Sequence, residues 1–128
     1  MKRTAITCLA AVMTFSARAA DLCDKDKQFL TAYEKIHVAL ANDDLATARS
    51  AAKDLGEEGA TIAHAASLKD ARAPFEKLGE KAKQLAAGQP GFYVVTCPML
   101  KKDWVQTTEK IANPYYGKEM ATCGEIKK

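Results

Sequence analysis

Two short segments in the last third of the chain carry sulfur in pairs, Cys97-Pro98-Met99 and Met120-Ala121-Thr122-Cys123. Thiolates and thioethers together form a soft donor set. Such a set favours Cu(I) over Mg²⁺, Ca²⁺ or Mn²⁺, because a polarisable d¹⁰ ion gains more from sulfur than from carboxylate or water oxygen. Pro98 fixes one backbone torsion and lowers the entropic cost of presenting the first pair, and Met120 and Cys123 share a face if their segment forms a helical turn. The same residues also read as a Cys97–Cys123 disulfide with Met99 and Met120 filling the core. That bridge would close a loop of about 26 residues and contribute about 3–4 kcal/mol through chain entropy. The two readings can alternate, with the pair oxidised at rest and open to copper when reduced.

Other residues capable of chemistry have plainer roles open to them. His37 and His64 are the only histidines, and histidine is a common further ligand for copper or zinc. Each lies beside a helical apolar stripe, where a hydrogen-bonded interior or boundary histidine is the default. Trp104, Tyr115 and Tyr116 could shield a soft cation, but covering the edge of a short hairpin is the simpler use. Glu34, Glu57, Glu58 and the many lysines read as a solvated face. There is no C-x-x-C, phosphate-binding glycine loop or H-E-x-x-H in the chain. A thiol without an evident base or oxyanion device does not make an enzyme, and none is expected.

The elements that must position these residues are mostly helical. From Asp24 to about Ala87 the chain is rich in Ala, Leu, Lys and Glu with a single proline, Pro74, which predicts about three helices near 24–42, 43–66 and 68–87. Phe29, Tyr33, Ile36 and Leu40 mark the buried face of the first, widened by Leu30 and His37. Asp43 or Asp44 can cap the second, whose face of Leu45, Ala48, Ala52 and Leu55 is interrupted at Gly56-Glu57-Glu58-Gly59 before Ile62. Ser67 with Asp70 resembles a capping box for the third, with Leu68, Phe75, Leu78 and Leu85 inward and Pro74 in its first two turns. Gly88-Gln89-Pro90-Gly91 stops it. Phe92 to Thr96 then reads as a short strand, 104–108 as a weaker one, and Asn113-Pro114-Tyr115-Tyr116-Gly117 as an aromatic turn. The expected fold is mainly α, a small helical bundle with a short C-terminal β element and a Cys/Met-rich tail.

Composition bounds the rest. At 128 residues, 48% hydrophobic and 27% charged, the chain suits one small globular domain and leaves no room for a two-domain enzyme. Lys2 and Arg3 precede an uncharged run to Ser16 and then Ala17-Arg18-Ala19, which reads as a secretory signal over residues 1–19, with the domain over 20–128. Without Lys2, Arg3 and Arg18, Lys+Arg falls from 19 to 16 against an Asp+Glu of 16. The mature chain is then formally neutral, with no case for nucleic acid, no membrane span and a periplasmic location. Leu22 before Cys23 argues against a lipidated start. Cys8 departs with the signal, leaving three cysteines and at least one without a partner inside the mature chain.

Taken together, Tyr93, Cys97-Pro98-Met99, Trp104, Ile111, Asn113-Pro114-Tyr115-Tyr116-Gly117, Met120 and Cys123-Gly124 resemble a periplasmic domain family of formally unknown function. That domain also occurs fused to the C-terminal side of copper/silver efflux periplasmic adaptor proteins. Tyr33, Ala39-Leu40-Ala41-Asn42-Asp43 and Ala71-Arg72 with Phe75 and Leu78 are similar to its helical part, so the likeness runs over about residues 24–125. The resemblance implies heavy-metal handling, with Cu(I) or Ag(I) as cargo and Cys97, Met99, Met120 and Cys123 at the sulfur-bearing positions. It further implies an efflux adaptor or another envelope protein as partner. Cys23 lies outside the pattern. The other reading of the same residues is a disulfide-stapled helical interaction module with no metal of its own.

Overall fold

The computed structural model describes residues 22–127. The proposed signal, its cleavage site and Cys8 lie outside the described residues. Helix α1, Asp24–Ala41, opens with Asp24 and Asp26 in its first turn, where carboxylates complement the helix dipole. It buries Phe29, Leu30, Tyr33, Ile36, His37 and Leu40, the stripe that the periodicity marks. Asp43 follows with φ 58°, a left-handed conformation that Asp tolerates better than most residues. Asp44 caps α2, Leu45–Ala52, its carboxylate accepting from the Thr47 N–H at 3.0 Å and the Thr47 hydroxyl at 2.6 Å.

The expected second helix is a composite. A 3₁₀ stretch, Lys53–Gly59, joins α2 to the single turn α3, Ala60–Ala63. Gly56 sits at φ 59° inside that stretch and breaks the helical path. Helix α4, Leu68–Ala86, starts where Ser67 Oγ accepts from the Asp70 N–H at 3.1 Å, and it carries Pro74 in its second turn without ending. Near a helix start the missing N–H and ring of proline disturb little of the bonding that follows.

The β element is larger than expected, because three strands form an antiparallel sheet in the order β2-β1-β3. Strand β1, Tyr93–Cys97, pairs with β2, Lys102–Gln106, in a register that sets Val95 opposite Trp104 and Cys97 opposite Lys102. β2 begins two residues before the 104–108 expected. Its first side chains are charged and partly buried, which hides them from a hydrophobicity pattern: Lys102 Nζ binds Glu76 at 2.6 Å, and Asp103 accepts from Thr96 Oγ1 at 2.8 Å. β3, Glu125–Ile126, pairs on the far side of β1, where the sequence pattern predicts no strand.

Helix α4 packs on β2 and against α1, which also packs on α2. Trp104 and Val105 point to opposite faces of β2 and are both buried, so the sheet is covered on both sides. The C-terminal tail provides one cover: a Cβ at Gly124 would collide with Val95, Ile111 and Trp104. Phe29, Tyr33, Phe75, Tyr115 and Trp104 form a chain of ring contacts from α1 through α4 to the sheet, the closest being Tyr33–Phe75 at 4.6 Å.

Candidate functional site

The two candidate cysteines meet. Cys97 ends β1 and is buried, Cys123 is half-buried near the chain end, and the pair is bridged with its Cα atoms 5.5 Å apart across 26 residues of sequence. Asn113 accounts for much of this placement. It is fully buried, its amide Nδ2 donates to the Cys123 carbonyl at 3.1 Å, and its own N–H donates to Ala121 O at 2.8 Å. Downstream, Lys127 N–H donates to Val94 O at 2.8 Å and ties the chain back to β1. The tail is therefore held by backbone bonds on either side of the bridge.

The two thioethers occupy different settings. Met99 occupies the β1–β2 turn and is 76% exposed, so the expectation that it could serve as core filling is wrong. Met120 is half-buried at the end of a short 3₁₀ turn, Lys118–Met120, where its carbonyl accepts from the Cys123 N–H at 3.0 Å. No cysteine among the described residues is free. Nor do the described residues gather three or more His, Cys, Asp or Glu side chains around a possible metal position.

His37 is an interior histidine. A carbonyl can only accept, so its Nε2 carries the proton donated to Ala112 O at 2.6 Å. Its Nδ1 lies 3.4 Å from Glu34 Oε2 without a hydrogen bond. His64 is exposed at the end of α3. Trp104 and Tyr115 are buried in the ring chain, whereas Tyr116 is 48% exposed.

What fastens the Asn113–Gly117 turn is a junction that the spacing of residues does not disclose. Arg72 on α4 donates through Nε to Pro114 O at 2.9 Å, and through one terminal nitrogen to Leu40 O at 3.0 Å and Asp43 Oδ1 at 2.7 Å. The other Asp43 oxygen accepts from the Lys118 N–H at 3.3 Å. The hydrogen bond from Arg72 holds the Asp43 carboxyl below the usual carboxylate range. Gly117, at φ 83°, leaves no room for a Cβ beside Asp43 and Arg72. Dispersed residues thus meet at one place where the helices grip the tail.

The edge of β2 is closed in a similar way. Tyr33 Oη accepts from the Val105 N–H at 3.3 Å, and Tyr115 Oη donates to Asp103 O at 3.2 Å. Burial raises both phenol pKa values well above normal, so each hydroxyl stays neutral. Trp104 Nε1 and the Ala112 N–H both donate to Gln106 Oε1, while Gln106 Nε2 donates to the Thr108 and Lys110 carbonyls, which folds residues 107–112 over the strand end. Burial pushes the Asp103 carboxyl up, but hydrogen bonds from Thr96, Lys127 and Lys83 outweigh it and keep the carboxyl low.

Comparison with family models, curated proteins and solved structures returned no match to this chain. Chemically, the bridge between Cys97 and Cys123 takes up two electrons and two protons on reduction and then presents two thiols. Among the described residues no helix is long and apolar enough to cross a membrane, and a disulfide is at home in an oxidising compartment.

Proposed function

We propose that this is a periplasmic protein, matured by loss of residues 1–19, that handles Cu(I) or Ag(I) at the Cys97/Cys123 pair once the bridge is reduced. Met99 and Met120 supply thioether donors, and the bridged form is the resting, metal-free state. The observation that carries the reading is the approach of two cysteines 26 residues apart to a Cα separation of 5.5 Å. The same closeness suits a bond or a shared two-coordinate ion. In this reading Met99, which is exposed two residues after Cys97, hands the ion to an efflux adaptor or another envelope protein.

A second reading rests on the bridge itself. Cys97 is fully buried, and Arg72, Asp43, Asn113 and Gly117 all serve to hold the tail, as in a stapled interaction module without metal. Anaerobic titration of the reduced protein with Cu(I) against a competing Cu(I) chelator separates the two. The metal reading expects one tightly held ion per chain, lost in the Cys97→Ser/Cys123→Ser variant and weakened by Met99→Leu or Met120→Leu. A reduced, folded protein that leaves all Cu(I) on the chelator would establish the module instead.

A further inference from the structure

A cavity of about 740 Å³ opens between the first half of α1 and the loop that leads into β1. This is within the range of roughly 300–1,000 Å³ usual for small-ligand sites. Its floor is apolar, formed by Leu22, Leu30, Pro90 and Phe92. It lies on a different part of the molecule from the sulfur residues, none of which lines it.

The polar groups at its rim are not equivalent. Thr31 Oγ1 already donates to Lys27 O at 2.9 Å, and Thr107 Oγ1 to Glu34 Oε1 at 3.1 Å. The second Glu34 oxygen lies 3.4 Å from His37 Nδ1 without a hydrogen bond. Lys27 and Lys35 also line the cavity. Neither is in an ion pair among the described residues, although the lysines at 81, 83, 102 and 127 all are. Eight residues apart on one helix, the two ammonium groups attach about 12 Å apart along the rim. With Glu34 counted, the rim sets two ammonium groups against one carboxylate, so its net charge is cationic.

We infer that this cavity binds an amphipathic organic anion, its apolar body on Leu30, Pro90 and Phe92 and its anionic head between Lys27 and Lys35. Apolar burial provides most of the affinity, and the lysines select the charge of the head. Because each exposed ammonium contributes modestly and is screened by salt, the charge preference amounts to about five- to tenfold at low ionic strength.

Dodecanoate is a suitable probe, titrated calorimetrically below its micellar concentration at low salt, with 1-dodecanol as the neutral counterpart. The expected result is saturable binding of one dodecanoate per chain, at least fivefold tighter than the alcohol. Lys27→Gln/Lys35→Gln should remove that preference, and Lys27→Arg/Lys35→Arg should retain it. Both lysines are exposed, so thermal unfolding of these variants should match the parent and certify the fold. Absence of saturable binding, or a change of less than twofold in the Gln variant, would overturn the inference. So would retention on phosphatidylglycerol vesicles without binding of free dodecanoate, which would make the patch a membrane-surface contact.

Discussion

Replacing Arg72 by Met keeps most of the side chain's aliphatic volume and removes the guanidinium that joins α1, α4 and the tail. Three hydrogen bonds disappear, to Pro114 O, Leu40 O and Asp43 Oδ1. Each abandoned carbonyl costs about 1 kcal/mol, the low end of the usual penalty, because water can reach part of this junction. The ion pair adds only about 0.5 kcal/mol, since the Asp43 side chain is 35% exposed. The sum is about 2.5 kcal/mol, which lowers the melting temperature of a domain this size by about 10–15 °C. Urea unfolding followed by Trp104, the single and fully buried tryptophan, measures it directly. The midpoint should fall with the slope unchanged. Arg72→Lys should recover less than half, because an ammonium cannot reproduce the fork. Asp43→Asn, which keeps a residue suited to positive φ, should couple to Arg72→Met by less than about 1 kcal/mol in a double-mutant cycle. A loss below 1 kcal/mol for Arg72→Met, or a loss of the same size for Asp43→Asn alone, would refute the assignment of Arg72 as the clamp on the tail.

Gly117→Ala should destabilise by about 2 kcal/mol or more, since φ is 83° and the new methyl would meet Asp43 and Arg72; urea unfolding within 0.5 kcal/mol of the parent would contradict it. Cys97→Ala/Cys123→Ala should lose about 3.5 kcal/mol of chain-entropy stabilisation for a separation of 26 residues, checked by the same unfolding curves under non-reducing conditions. The Asp43 and Asp103 carboxyls titrate lower in the folded state than in the unfolded chain. Their stabilisation is therefore complete above about pH 4 and disappears as pH falls through the depressed native values. Asp103→Asn should flatten that acid limb of the stability profile, and an unchanged limb would show that Asp103 does not contribute to it.

The helices were legible because their signals are local. Phe29, Tyr33, Ile36 and Leu40 repeat at helical spacing, Asp44 and Ser67 are capping residues, and Gly56 marks the break in the second helix. The sulfur pairs were legible by residue type, and their approach in space follows from the pairing of Asn113 with Cys123, which no spacing reveals. β3 has no signature in the sequence because two residues carry no pattern. The start of β2 was hidden by Lys102 and Asp103, whose charges are answered by Glu76, Thr96 and two lysines from outside the strand. Arg72 was one cation among many until Pro114, Leu40 and Asp43 came to surround it. Tyr33 read as core, which it is, but the hydrogen bond its hydroxyl accepts from β2 depends on a strand 72 residues away.

The central claim is that one pair of cysteines alternates between a bond and a metal. It is tested most directly by measuring Cu(I) affinity on the same preparation before and after reduction, with oxidation state verified by thiol alkylation and mass. A disulfide removes both thiolates and leaves Met99 and Met120 as neutral donors, so the account predicts at least a hundredfold tighter binding by the reduced protein. Equal affinity in the two states would contradict it and place any metal away from Cys97 and Cys123.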